Sequence, residues 1–207
     1  MIQLDLDCEA IIGPLDALRA EFAAADIVQL PRFLSPALLA HLQESVASAE
    51  FVERVHAGIG RDQNMVANPA LSLIHFALNA PALLSAVEEV TGAGRLGRFL
   101  GHVFTLTPGT EDHDSWHSDV GSEREVGLTV NLGADPCAGG VFQLKDVQRG
   151  LVRGEIANTI AGDAVIFRIA DRLRHRATPV TGTVTRITLA GWFHSGPDFQ
   201  TFLAAAR

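Results

Sequence analysis

An imidazole and a carboxylate stand one residue apart at His117 and Asp119, in the stretch SWHSDVG, residues 115–121. On an extended segment residues i and i+2 project to the same side, so both side chains can be presented to one point. That is two metal ligands from a single strand end. A two-histidine, one-carboxylate iron site needs one further imidazole and leaves the opposite positions open for substrate and oxygen. His175, in RLRHRATPV, is the candidate for that place. The alternative is a solvated polar pair in a loop, the ordinary fate of an isolated HxD. A rival pair, His113 and His117, has helical i, i+4 spacing, but Pro108, Gly109 and the Asp, His and Ser residues after them argue against a helix there.

Period-2 reading adds a second group. In VTRITLAGWF, Thr185, Ile187, Leu189 and Phe193 fall on one face, while Val184, Arg186, Thr188, Ala190 and Trp192 fall on the other. Arg186 and Thr188 thus point together toward a pocket. In EVGLTVNL, the apolar face is Val126, Leu128, Val130 and Leu132, and the opposite face carries Gly127, Thr129 and Asn131. A guanidinium on an inward face needs a planar acceptor, which is either a ligand carboxylate or an internal Asp or Glu.

These residues must be positioned by a scaffold, and the chain changes texture to supply one. Up to about residue 95 it reads mostly as helix: PLDALRAEFAAA, then SPALLAHLQESVASAE with Ser35 as N-cap, then two short helices divided near Asn79 and Pro81 and closed by Gly92. DIVQL is a short strand between the first two. From about Leu96 the runs FLGHVFTL, EVGLTVNL, GGVFQLK, DAVIFRI and VTRITLAGWF, broken by Gly, Asp and Pro, read as strands. Five or more short strands after a helical lead predict a mainly β fold, an antiparallel sandwich or jelly roll backed by helices.

A chain of 207 residues with 47% hydrophobic and 19% charged residues can bury a large core without disulfide or structural metal. The formal charge of -8 disfavours nonspecific binding to nucleic acid or anionic membranes. Cys8 and Cys137 form no CxxC pattern, and no apolar run approaches the roughly 18 residues of a membrane span. With an acidic N-terminus unlike a secretory signal, the expected location is the cytoplasm. Tyrosine is absent.

Order and spacing together carry a resemblance. His117 and Asp119 are followed by the turn AGG with strand VFQLK, by AGDAVIF, by His175, and by Arg186 eleven residues later. This pattern resembles the 2-oxoglutarate and Fe(II)-dependent oxygenases, in particular the prolyl 4-hydroxylase-like branch, over about residues 98–194. The segment LPRFLSPALLAHL is similar to the usual N-terminal region of that branch. The resemblance implies a double-stranded β-helix, the jelly-roll core of cupin-like proteins, over residues 96–195 of a single domain spanning 1–207, with residues 1–95 as a helical lead packed on it.

It also implies that His117, Asp119 and His175 ligate iron, that Arg186 holds the distal carboxylate of 2-oxoglutarate, and that Thr188 donates to the same carboxylate. Thr188 as an ordinary strand threonine is nearly as good a reading. The chain departs from the prolyl hydroxylase pattern in having Arg where Lys is common and in lacking a tyrosine before the HxD. Thr129 or Asn131 is the expected replacement for that tyrosine. An intact Asp119 argues against halogenation, because halogenating relatives carry a small residue there. The implied cofactors are Fe(II), 2-oxoglutarate and O2, with ascorbate as a stimulant, and the implied products are succinate, CO2 and an oxidised substrate.

Other readings stand beside this one. A cupin-like metalloenzyme that does not use 2-oxoglutarate leaves Arg186 unexplained, and a non-catalytic jelly-roll binding or sensing module needs no complete triad. Arg168, Arg172, Arg174 and Arg176 around His175 form either an anion-attracting lip or a loop paired with nearby carboxylates. Phe104, Trp116 and Trp192 are candidate pocket aromatics. The substrate, a small molecule or a peptidyl residue, is expected to be selected by loops at 61–69 and 108–114. The oligomeric state stays open.

Overall fold

The computed structural model describes residues 1–121, 123–157 and 160–205. Helix ends follow local chemistry. The Ser35 hydroxyl accepts the Leu38 N–H at 3.2 Å to start Pro36–Ala47, and Asn68 accepts the Leu71 N–H to start Pro69–Leu78. Helix Pro81–Thr91 stops at Gly92, whose φ of 65° is left-handed. With Asp16–Ala25 these helices bury Phe22, Leu38, Ile74, Leu83 and Val87 against Phe99, Val103, Val126 and Phe193 of the sheet. Among the described residues no single helix is long and apolar enough to cross a membrane; the pair Pro69–Leu78 and Pro81–Thr91 passes together on length and composition but is bent by 58°.

All five expected strands form, at Arg98–Leu106, Arg124–Asn131, Phe142–Asp146, Ala164–Arg168 and Arg186–His194. The large antiparallel sheet runs Ile27–Leu30, Ala164–Arg168, Arg124–Asn131, Arg186–His194, Arg98–Leu106, Gly60–Met65, Phe51–His56, with His113–Asp114 beside Gly60–Met65. A second sheet, Leu151–Ile156, Phe142–Asp146 and Leu173–Ala177, joins it through a small cluster in which Phe142, Leu144 and Leu173 meet Ile27, Val165 and Phe167. This is the expected mainly β jelly-roll core with helices on the outer face of the large sheet. The hairpin Phe51–Met65 has no apolar alternation because main-chain pairing, not burial, holds it: Val52 and Val55 are exposed. Residues 61–65 of the expected loop are therefore strand.

The basic run around His175 resolves into fastenings. Arg172 bridges Asp26 at 2.8 Å and Asp146 at 2.9 Å, and Asp26 also takes Arg168 at 2.9 Å and Arg153 at 3.2 Å. Arg174 donates to the carbonyls of Asp171 and Leu173, and Arg176 to Gln143. Burial alone would raise the Asp26 pKa, but hydrogen bonds from Arg172 and Arg168 hold it below the ordinary value. The folded-state value being the lower one, this cluster stabilises fully above the ordinary carboxylate pKa near 4 and loses its contribution as pH falls through the depressed value. Asp26→Asn is expected to cost about 1–3 kcal/mol at pH 7, toward the lower end because the three arginines are partly exposed, and progressively less below about pH 4. Urea unfolding of both proteins at pH 7 and pH 3 measures the difference.

Candidate metal centre and cosubstrate pocket

The first two side chains are aligned by the backbone. His117 and His175 form an antiparallel bridge, the N–H of each donating to the carbonyl of the other at 3.1 and 3.0 Å. Residues directly opposite across such a pair project to the same side, and the ring centroids lie 4.2 Å apart. Within Leu173–Ala177 the alternation buries Leu173, His175 and Ala177 and turns Arg174 and Arg176 outward. Asp119 then reaches back to both rings, with Oδ2 3.3 Å from His175 Nε2 and Oδ1 3.7 Å from His117 Nε2. One ligand atom from each of the three residues lies within 4.8 Å of the others, the only such group among the described residues.

Surrounding groups fix these side chains. His117 Nδ1 lies 2.7 Å from the Ser115 carbonyl and 3.2 Å from Asp114 Oδ1, so Nδ1 carries the proton and the Nε2 lone pair is left facing the cluster. Asp114 is held by the Ala177 N–H at 2.7 Å, and burial pushes its carboxyl pKa up. The Trp192 indole N–H donates to Asp119 Oδ2 at 2.5 Å. Burial opposes ionisation of Asp119, yet its hydrogen bond to and attraction by the His175 ring, the Trp192 N–H and the nearby His117 ring outweigh this and lower the pKa to about 2. His175 stacks on Phe142 and tilts against Phe167. Gly127 makes room for that Phe167 ring, since a β-carbon there would overlap it.

Arg186 is 4% exposed. Its Nε donates to Thr188 Oγ1 at 2.9 Å, while its Nη1 is buried with no hydrogen-bond partner, as is Thr129 Oγ1. Burial lowers the guanidinium pKa from its ordinary value. Arg186, Thr188 and Thr129 share one cavity of about 280 Å³ with His117, Asp119 and His175. Asn131 stands opposite Thr188 across the strand pair but is buried, its Oδ1 accepts the Gly133 N–H, and it does not line the cavity. His113 is exposed and extended at the edge of the same cavity, and is not one of the three clustered ligand groups.

The GG of the AGG turn has a local reason. Gly140 has φ 61°, and a β-carbon on it would sit 2.8 Å from Arg186 Nη1. Gly140→Ala is expected to displace the guanidinium and weaken binding of any carboxylate held there about tenfold, readable by calorimetric titration with 2-oxoglutarate.

Several groups escaped the sequence reading. Phe104 and Trp192 line the cavity as expected, whereas Trp116 lies outside its lining, beneath Lys145 and Arg176. Arg124, His102, Arg54, His56 and Asp62 line it as well. Period 2 from Phe104 would have suggested His102; nothing local marks Arg54, His56, Asp62 or Arg124.

Residues 102–194 match the family model described as 2OG-Fe(II) oxygenase superfamily, and the chain carries a domain of that superfamily over these residues. The matched residues include His117, Asp119, His175 and Arg186. Among solved structures, a Pseudomonas putida prolyl-4-hydroxylase is 23% identical, with 87% of this chain and 98% of that chain covered and a TM-score of 0.65. A Trichoplax adhaerens prolyl hydroxylase in complex with a hypoxia inducible factor peptide fragment is 15% identical, with coverage of 92% and 91% and a TM-score of 0.65. The non-heme alpha ketoglutarate dependent epimerase SnoN from nogalamycin biosynthesis is 18% identical, with coverage of 86% and 80% and a TM-score of 0.60. No curated protein matches the chain in sequence.

Proposed function

We propose that His117, Asp119 and His175 hold Fe(II), that Arg186 with Thr188 and Thr129 holds the distal carboxylate of 2-oxoglutarate, and that the enzyme hydroxylates an unactivated C–H bond of its substrate. The residues fit both groups. Two imidazoles and an ionised carboxylate are the donor set of a non-haem Fe(II) centre with open positions. The orphaned Arg186 Nη1 carries the assignment: a buried cation with no ion pair among the described residues, in the same cavity as the triad, calls for an anion from outside the protein. When bound, the metal and cosubstrate supply the oxidation, in which O2 and 2-oxoglutarate give succinate and CO2 while a substrate C–H becomes C–OH. The chain's own part is to orient the ligands. The Ser115 carbonyl and Asp114 set the His117 tautomer, the Trp192 N–H sets the Asp119 carboxylate, and Phe142 and Phe167 exclude water from His175.

Adding 2-oxoglutarate to the anaerobic, Fe(II)-loaded protein should produce a weak visible charge-transfer band. The band should be lost in Asp119→Ala and should require far more cosubstrate in Arg186→Ala. A well-folded, iron-replete protein that shows no band would refute the proposal.

A further inference from the structure

We infer that the substrate is a small carboxylic acid whose carboxylate is taken by Arg124, with His102 and Arg54 completing an anion-binding wall in the cavity. The inference rests on the oxygenase reading and concerns a different end of the same cavity. From Arg186 to Trp192 the strand runs about 20 Å, which separates the cosubstrate clamp from this wall.

Arg124 is the central group. Its guanidinium lies over the Trp192 ring, 3.8 Å from the centroid, and its Nε is buried without a hydrogen-bond partner. The nearest carboxylate, Asp119 Oδ1, is 3.9 Å from Nη1, beyond hydrogen-bond reach, and belongs to the metal cluster. Stacking on the indole fixes the plane of the guanidinium, which suits a planar carboxylate.

The carboxylate near the other groups on the wall is Asp62, which stands opposite Arg54 in the hairpin. Arg54 lines the cavity from the hairpin strand Phe51–His56 and makes no ion pair or side-chain hydrogen bond among the described residues. Asp62 is already engaged, with His56 Nε2 at 3.6 Å and with the Asn64 amide. His102 sits between Phe104 and Trp192. Burial and then the facing Arg54, His56 and Arg124, against an opposing Asp119, lower its pKa to about 4, so it is a neutral imidazole able to donate one N–H. This positive wall stands in a chain of net charge -8, so it is a local construction. A cavity of about 280 Å³, shared with the cosubstrate, has room for a small molecule beside the wall.

The test uses the full chain loaded anaerobically with Fe(II) and 2-oxoglutarate. The charge-transfer band is recorded first, because its absence condemns the oxygenase reading whatever the acids do. Straight-chain monocarboxylic acids and 2-amino acids of four to eight carbons, and their primary amides, are then titrated while tryptophan fluorescence and the visible band are followed. At least one acid should saturate, with its amide at least about tenfold weaker. Arg124→Met should weaken that acid about 10- to 100-fold and Arg124→Lys less, since lysine keeps the charge but not the fork. Arg54→Gln should weaken it only about threefold, with an effect that fades in salt, because Arg54 is exposed. If the band forms but acids and amides bind alike, no acid binds at millimolar concentration, or a carboxylate is recognised only within a peptide, the inference is overturned and the oxygenase reading stands.

Discussion

Arg186→Met is expected to stabilise the ligand-free protein while destroying its affinity for 2-oxoglutarate. The guanidinium is buried and one of its nitrogens has no partner, so the folded state carries a desolvated charge with incomplete compensation. A methionine of similar length fills the space without that cost, and such replacements are neutral or stabilising by about 1–4 kcal/mol. The cosubstrate carboxylate, by contrast, would lose its only buried cation. Loss of one partner of a buried pair costs about 3–5 kcal/mol, or roughly two to four orders of magnitude in Kd. Thermal melts without ligand and calorimetric titration with 2-oxoglutarate should therefore move in opposite directions. A purely structural role for Arg186, bonded only to Thr188, predicts a lower melting temperature and no specific effect on 2-oxoglutarate. Arg186→Lys should fall between wild type and methionine, keeping charge without the bidentate fork.

The second large effect is expected from His175→Ala: Fe(II) content and 2-oxoglutarate-dependent succinate formation should both fall to background while the fold persists. The bridge between His117 and His175 is made by main-chain atoms, so it survives removal of the imidazole. The ring leaves a void beside Phe142 and Phe167, for which about 1–3 kcal/mol of stability is the expected loss. Trp192→Phe is the graded companion. It removes the N–H held by Asp119 but keeps a ring beneath Arg124, and outer contacts of this kind are worth about 10- to 100-fold in metal affinity. Iron by equilibrium dialysis and secondary structure by circular dichroism separate ligand loss from unfolding. Full iron retention in folded His175→Ala would remove His175 from the proposed ligand set.

Much of this was legible in short stretches of chain, and the reason is periodicity. Ser35, Pro36 and Gly92 mark helix ends through bonds made within a few residues, and the alternation in VTRITLAGWF puts Arg186, Thr188 and Trp192 on one face whatever the sheet around them. His117 and Asp119 share a side for the same reason. Thr129 and Asn131 show where periodicity stops. They share a face by alternation, yet Thr129 lines the cavity and Asn131 turns to the Gly133 N–H at the strand end. Arg168 and Arg172 make the same point, since their shared carboxylate partner Asp26 lies more than a hundred residues away.

What the sequence by itself determined is therefore the five core strands and the four helices of the lead, the residue types that make His117, Asp119, His175 and Arg186 candidates, and the alternation that puts Arg186, Thr188 and Trp192 on one face, because these depend on residue type and neighbours in the chain. Only the tertiary structure decided that His117 meets His175 across a main-chain bridge, that Gly140 must lack a side chain for Arg186 to fit, and that Arg124, His102 and Arg54 converge on one wall. Those relations join segments far apart in the chain. They are set by sheet register and curvature, which depend on the packing of the whole core and leave no periodic trace in any single segment.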